Sequence, residues 1–546
     1  MSNTSHWPKH FYLIGSNPAP THHKPDREHM GSKAHNLLRM AAIGLPVPPA
    51  LVIGTHFTRA PETCMLPLFS VGLPALEAAT ELVFGDRRQP LIVSVRSGAP
   101  VSMPGMMDTL LNVGLCEATL PGLLRQTGNP RLVWDSYRRL IATYGSVVAG
   151  LPAALFEEEI DRVTQGRDER WLDFSELREL SQRFLALYQQ HAGEPFPQDV
   201  RAQLGAAVQA VFASWQQAKA KTYREIHRID PAMGTAVTIQ RMVFGNSGCH
   251  SGAGVGFTRD PNSGENRLWV DFLPNAQGED VVSGQRNAHG HEALAQAAPT
   301  AWAQLQAVAT QLEQAFEDMQ DFEFTVQDGA LFMLQSRSGK RTALATARIA
   351  LDLFDEGLID AVTALERTQA LQLHELATER LLTQDESGAV AAPLAGATSA
   401  GNGVAWGELA FDEARVRERV AAGVPVVLLR PDAQTSDIAA LELSVALLTQ
   451  RGARTSHAAV VARQLGKVCL VACQTLQINE AQRSLRLGDH ALSEGDIVTL
   501  DGNEGLIYAG RVASISVADE PLQRRLQALR QGQKHSGKKR AAKADA

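Results

Sequence analysis

The stretch from Val445 to Gly466 constrains this chain more than any other. Val445-Ala446-Leu447-Leu448 is a short apolar run of the kind that forms a buried strand. Gly452 interrupts it, and from Ser456 the apolar positions recur at helical spacing until Gly466. Strand, loop and helix in that order put His457 on the first turn of the helix. The unpaired N–H groups and the positive end of the dipole there disfavour imidazolium and attract an anion. A neutral imidazole in that setting can attack phosphorus and keep what it takes. By position alone, the same residue is more often a solvated or capping histidine.

A second pattern lies upstream, in Asp321-Phe322-Glu323-Phe324-Thr325 and, after Asp328-Gly329, Phe332-Met333-Leu334-Gln335-Ser336-Arg337. Strict alternation puts Asp321, Glu323 and Thr325 on one face of a strand and the aromatics on the other. A two-residue turn would pair Phe322 with Gln335 and split the polar groups. A three-residue turn with Gly329 left-handed pairs Asp321 with Gln335 and gathers two carboxylates, an amide and a guanidinium. We expect the second. Hard carboxylate oxygens suit Mg²⁺ and the arginine suits phosphate; a solvated sheet face is the plainer alternative.

Earlier in the chain, Met1 to about His29 reads as an irregular lead-in, and Gly31-Ser32-Lys33-Ala34-His35-Asn36-Leu37 opens a helix toward Gly44. Lysine in a turn before a helix suits phosphate, although the segment lacks the P-loop spacing and an exposed lysine is commoner. Leu91-Ile92-Val93-Ser94-Val95 reads as a buried strand that breaks at Arg96, a residue equally suited to forked phosphate binding and to a structural ion pair. From about Pro121 to Thr222 the apolar residues repeat at three and four, which predicts amphipathic helices. Thr235 to Val243 reads as a strand, and the glycine- and serine-rich segment Gly245 to Gly254 is either a phosphate-approaching loop or a flexible hairpin. Another helix is expected from about Ala361 to Leu382. A hinge is expected near Asp385 to Pro393, and short strands with glycine turns run from Leu394 to about Ser514. The basic stretch after Ser516 reads as a partly helical, fraying tail, more plausibly solubilising than a contact for an acidic partner or RNA.

Composition excludes some classes. The chain has 546 residues, 44% hydrophobic and 20% charged, which predicts three or four ordinary globular domains. A net charge of -7 gives no general reason to expect nucleic acid. No run of side chains reads as approaching the roughly 20 apolar residues of a membrane span, and the first residues lack signal-peptide character, so the cytoplasm is expected. Five cysteines, odd in number and scattered, argue against a disulfide framework; Cys469 and Cys473 read as small core residues.

Several of these segments carry a resemblance. Thr455-Ser456-His457-Ala458-Ala459 with Val460-Val461-Ala462-Arg463 resembles the phosphohistidine segment of the pyruvate phosphate dikinase and phosphoenolpyruvate synthase family. Ser102-Met103-Pro104-Gly105-Met106-Met107-Asp108-Thr109 and Asn275-Ala276-Gln277-Gly278-Glu279-Asp280-Val281-Val282 also resemble that family closely, and the likeness runs from about Gly31 to Gly510. There are departures. Gly452-Ala453-Arg454-Thr455 stands where the family usually shows Gly-Gly-Met-Thr, Asp271 where it usually has Glu, and Ser32, Ala34 and His35 within its Gly-Gly-Lys-Gly-Ala-Asn-Leu.

The resemblance implies an α/β (α+β) chain: an ATP-grasp nucleotide-binding domain over residues 1–340 with a helical insertion at about 121–222, a helical linker and hinge at 341–393, a swivelling phosphohistidine domain at 394–515, and the basic tail. It implies His457 as the phosphorylated residue. It implies Lys33, Arg96, Gln240, Gly252, Gly254, Gln335 and Arg337 as ATP ligands, Asp321 and Glu323 as Mg²⁺ ligands, and Thr455 as a regulatory position. The implied reaction consumes ATP, releases AMP, and passes the γ-phosphate to water or inorganic phosphate; phosphohistidine then carries its group to an acceptor.

The family's pyruvate-binding barrel needs about 250 residues. Only a short tail follows residue 515, so we expect a half-enzyme serving a separate pyruvate- or phosphoenolpyruvate-binding protein. The alternatives are a different small-molecule acceptor, as in the related rifampin phosphotransferases, and a non-catalytic ATP-responsive regulator. The first is disfavoured because Ala343 to Pro393 is too short for a substrate domain.

Overall fold

Short β-branched runs separated by amphipathic helices give this chain two compact α/β units. A computed structural model describes residues 7–15, 25–103, 105–282, 287–382, 392–433, 437–454 and 456–544. The side chains of Val282, His457 and residues 533–544 are outside that description, as are Thr455 and most of the expected hinge. One unit comprises the chain up to Gly248 together with Phe332–Ser336; the other comprises Cys249–Leu331 and everything from Arg337 onward.

In the first unit, strands β1 (Phe11–Ile14), β2 (Ala50–Ile53), β3 (Val93–Gly98), β4 (Thr109–Val113) and β5 (Ala236–Arg241) form an antiparallel sheet in the order β1-β2-β5-β3-β4. Alternation sorts its two faces. Leu51, Ile53, Val93, Val95, Val237 and Ile239 enter a core shared with Tyr137, Leu140, Phe184 and Phe212. Those four residues belong to the helices Pro130–Val147, Phe174–Ala192 and Val200–Ser214, inside the stretch whose periodicity predicted helices. A capping box between Asp173 and Glu176 starts the middle helix, and Gly193, at φ 78°, ends it.

Three expectations need correction here. The lead-in is not wholly irregular, because the four-residue run Phe11–Ile14, too short to show a period, is buried as an edge strand beside β2. Arg96 does not end its strand: β3 continues to Gly98, paired residue by residue with β5. The helical stretch Pro61–Thr80 is, by length and composition, long and apolar enough to cross a membrane. Its Cys64, Leu68, Leu73 and Leu76 are buried in the sheet's core, which accounts for the apolar composition.

In the second unit, β6 (Gly252–Phe257) lies between β7 (Trp269–Pro274) and β8 (Gln320–Gln327), and β9 (Ala330–Ser338) closes a hairpin with β8. The helices Ala343–Asp355 and Ala361–Thr368 are core rather than linker: Ala345, Ile349, Leu353 and Ala364 pack with Phe257, Trp269 and Met319. The expected helix to Leu382 stops at Thr368. Ala377–Leu381 is instead a strand, β10, drawn out of helical geometry by an antiparallel partner far along the chain.

The rest of the unit is a mixed sheet of β11 (Pro393–Gly396), β12 (Thr398–Gly401), β13 (Val404–Ala410), β14 (Val426–Arg430), β15 (Ala446–Thr449) and β16 (Val468–Val471), completed by β20 (Ile497–Asp501) and β21 (Leu506–Ala509). Its centre, β13-β14-β15-β16, is parallel. A small sheet of β17 (Leu476–Asn479), β18 (Ser484–Leu487) and β19 (His490–Ser493) covers one face through Leu476, Leu485 and Leu487. The helices Glu413–Ala421, Ile438–Leu443 and His457–Gln464 cover the other. Cys469 and Cys473 are buried, in keeping with a core role.

The basic tail is also corrected. β22 (Ser514–Ala518) pairs with β10, and the helix that follows, Glu520–Ala544, starts docked rather than frayed. Leu522 and Leu526 are buried against Ala347, Leu351 and Leu376. Arg525 reaches Asp352 and Asp355 at 2.7 Å each, and Arg530 donates to the carbonyls of Thr368 and Leu371. Charge composition hid two leucines at a helical spacing of four.

Candidate functional site

In the first unit, the sheet face turned away from the core carries Ser94, Arg96, Thr238 and Gln240. Gly31, at φ 76°, starts the helix Ser32–Ala42 against the end of β3; a Cβ there would lie 1.8 Å from the carbonyl oxygen of Gly98. Only glycine permits that approach. Ser32 fixes the same junction by donating both its N–H and its hydroxyl to the Ala99 carbonyl at 2.9 Å. Lys33 therefore occupies the first turn of a helix docked at the strand end. The segment Phe332–Ser336 joins this unit. Met333 N–H donates to the Pro46 carbonyl at 2.8 Å and Asn36 donates to the Ser336 carbonyl at 2.7 Å, while Arg96 makes a long 3.5 Å contact with the Leu334 carbonyl. Gln335, in that segment, is buried. Gln240 is also buried and its amide donates to the Pro48 carbonyl at 3.0 Å, so one of its functions is to bind the chain entering β2.

In the second unit, Asp321 and Glu323 are two apart on one face of β8. Glu323 pairs with Val255 of β6, which pairs on its other side with Asp271 of β7, so three carboxylates share that face. The turn between β8 and β9 has two residues, Asp328 at φ 50° and Gly329 at φ 81°, and the three-residue turn expected from sequence is not formed. An Asp-Gly pair with both φ positive is the two-residue hairpin solution. That turn sets Gln327 opposite Ala330, yet Gly339 N–H reaches the Met319 carbonyl at 3.1 Å, one residue out of the register so set. With this shift Arg337 Nε donates to Asp321 Oδ2 at 2.7 Å, so the guanidinium and carboxylate meet after all. Burial pushes the Asp321 carboxyl up, with Arg337 pulling the other way. Burial opposes the Arg337 charge, but Asp321 and Glu323 outweigh it and raise its pKa.

Gly252 and Gly254 are in β6, not in a loop. A Cβ on Gly252 would lie 2.2 Å from the Phe272 ring, one on Gly254 2.3 Å from the Phe324 ring, and one on Gly256 2.5 Å from the Phe322 ring. The glycines leave room for aromatics lying across the strand, a packing requirement the sequence reading did not consider.

His457 is the first residue of the helix His457–Gln464, after the β15 loop, as strand-loop-helix patterning predicted. Ser456 caps it, accepting from the Ala459 N–H at 3.4 Å. The flanking arginines seat this segment on the carboxylate face. Arg454 Nε donates to Asp271 Oδ1 at 2.7 Å and its Nη2 to the Val270 carbonyl at 2.9 Å, with its guanidinium 4.2 Å from the centre of the Trp269 ring. Arg463, 1% exposed, donates to Asn262 and to the carbonyls of Ala400 and Arg454, and stands over Phe257 and Trp269. Burial lowers its pKa to about 10. Gly452 N–H donates to Asn287 Oδ1 at 3.1 Å. Sequence reasoning missed Arg463, Trp269, Asn262 and Asn287; nothing local marks the contacts Arg463–Asn262, Arg454–Trp269 and Gly452–Asn287, which join residues more than 150 apart.

Among the described residues, no cluster of three or more histidine, cysteine or acidic side chains could hold a metal unaided. The donor chemistry nonetheless fits Mg²⁺, which is usually held by one or two carboxylates together with substrate phosphates. Asp321 and Glu323 supply that number of carboxylates on one strand face.

An α/β nucleotide-binding body followed by a small mixed-sheet domain with a histidine at a helix start defines a class of phosphoryl-carrying proteins. Comparison with known proteins agrees. Residues 75–293 and 290–357 match the pyruvate phosphate dikinase AMP/ATP-binding domain, and residues 423–505 match the mobile domain of PEP-utilising enzymes. The chain is 40% identical over 499 residues to pyruvate, phosphate dikinase of Clostridium symbiosum, covering 89% of this chain and 57% of the relative. It is 39% identical over 498 residues to the chloroplastic pyruvate, phosphate dikinase 1 of Zea mays, covering 89% and 52%. With the enzyme of Rhizobium meliloti it shares 38% over 509 residues, covering 89% and 56%. The chain belongs to the pyruvate phosphate dikinase family, and it spans slightly more than half the length of these relatives.

Proposed function

We propose that this chain is an ATP-dependent phosphotransferase in which the His457 imidazole attacks the β-phosphorus of ATP. AMP leaves, the histidine carries the pyrophosphoryl group until its γ-phosphate passes to water or inorganic phosphate, and phosphohistidine then delivers the β-phosphoryl group to an acceptor. The observation that carries this reading is the seating of the Arg454–Arg463 segment, with His457 within it, on the sheet face that bears Asp321 and Glu323. Lys33, Arg96 and Arg337 would neutralise phosphate charge, with Gln240 and Gln335 lining the nucleotide. Asp321 and Glu323 would hold Mg²⁺, which would supply positive charge against the phosphates. In such transfers, positioning and charge neutralisation supply most of the rate.

Pyruvate, presented by a separate binding protein or domain, is the acceptor we propose, since the relatives are named for it. Residues 1–340 with the two core helices up to Thr368 would be the nucleotide-binding part, the chain from there to Pro393 the linker and hinge, and 394–515 the swivelling domain. Thr455 would be a regulatory position, because a phosphate beside His457 would repel the incoming anion. A cytoplasmic location belongs to the same proposal.

The test is incubation with Mg²⁺ and ATP labelled separately at β and γ, with and without phosphate. AMP release and an acid-labile β-label that disappears in His457→Asn support the reading. Tight ATP binding without label, or γ-label on the protein with no β-label, overturns it.

A further inference from the structure

Asp271 of β7 and Arg454 of the loop before His457 meet each other. They are 183 residues apart and joined at 2.7 Å. The pair is built, not incidental. Asp271 is 2% exposed on β7, Arg454 makes a second bond to the neighbouring Val270 carbonyl, and its guanidinium stacks on Trp269 of the same strand. A planar guanidinium satisfied by a carboxylate, a carbonyl and an aromatic face is fixed in direction as well as position. It stands three positions before His457.

We infer that Arg454 is a positioning residue, a latch that holds the histidine-bearing loop against the carboxylate face and so sets how often His457 is presented to bound nucleotide. The inference rests on the phosphohistidine reading for its consequence, but the latch itself is a matter of geometry. A thioether at residue 454 could not make the ion pair, and a carboxylate on a longer stem at residue 271 would place its charge elsewhere. The short carboxylate and the long cation therefore function together. Releasing the loop exposes both charges to solvent, where salt screens and stabilises them, so docking should weaken with rising ionic strength.

The experiment uses the full chain with spin labels on Cys249, exposed while the other four cysteines are buried, and on a cysteine introduced at the exposed Gln477. Distance distributions are read with and without Mg²⁺ and ATP, alongside the initial rate of β-label incorporation. Wild type should give a dominant docked distance that declines with salt. Arg454→Met should lose most of that population and its salt dependence. It should also slow labelling by about tenfold or more, the effect of losing one partner of a buried charge pair, with ATP affinity unchanged.

Asp271→Asn, an isosteric change, should behave alike; Arg454→Met/Asp271→Asn should be no worse than either single change; Arg454→Lys should recover part of the docking. Unchanged distances in Arg454→Met, or additive effects in the double variant, overturn the latch. A wild-type protein that docks and responds to Arg454→Met, yet takes no β-label, leaves the latch standing and overturns the transfer reading instead.

Discussion

Arg337 Nε and Asp321 Oδ2 are 2.7 Å apart, across a hairpin whose turn sets a register one residue out from the one that joins them. The shift separates two functions of the strand. The Asp-Gly turn satisfies local backbone preference, and the displaced end of the hairpin brings a guanidinium to a carboxylate that is 2% exposed.

Asp321→Asn keeps a hydrogen-bond acceptor for Arg337 but removes the charge. Incorporation of β-label should fall by about a hundredfold, while the unfolding midpoint moves little. Arg337→Met should do the reverse damage as well, leaving a buried carboxylate unpaired at a cost of about 3 kcal/mol in urea unfolding. Equal stability losses for the two variants would contradict this division.

Gly254→Ala should destabilise the second unit by about 2 kcal/mol or more, because the new methyl group collides with the Phe324 ring and overpacked cores relax poorly. The companion Gly254→Ala/Phe324→Leu should recover part of the loss. If Gly254→Ala instead leaves the denaturation midpoint unchanged and alters only ATP affinity, the ring-packing account is wrong.

Asp135 is buried in the helix Pro130–Val147, with Arg138 Nε at 2.9 Å and Arg139 Nε at 3.1 Å. Burial raises its pKa, but Arg139, Arg138 and Arg131 outweigh that and bring it down to about 2. A carboxyl depressed below its ordinary value near 3.8 stabilises the fold above that pH and loses its contribution as pH falls toward 2. The linkage amounts to about 2 kcal/mol at neutral pH. Asp135→Asn should be less stable than wild type by that order at pH 7, and the gap should narrow below about pH 4. A gap independent of pH would show that the pair acts through shape alone.

Leu526→Ala should cost about 3 kcal/mol, the usual price of removing a buried leucine side chain, because Leu526 is fully buried against Ala347, Leu351 and Leu376. Urea unfolding followed by the fluorescence of Trp269, in the adjoining core, would report it. No change would mean that the Glu520–Ala544 helix is detached in solution.

The sequence by itself determined the elements whose signal is local. The strand-loop-helix around His457, the helices expected from about Pro121 to Thr222 and the alternation of Asp321 and Glu323 follow from backbone periodicity, and each stands in the fold. So does the family, because its motifs are short and contiguous. Only the tertiary structure decided what depends on partners far along the chain. Ala377–Leu381 is a strand because β22 pairs with it, and the leucines of the basic tail are buried because a helix near residue 350 receives them. Arg454 finds Asp271 because a sheet face and a loop 183 residues apart are packed together. Local geometry is set by the handful of dihedrals in one segment, whereas these contacts exist only once separate segments share a surface.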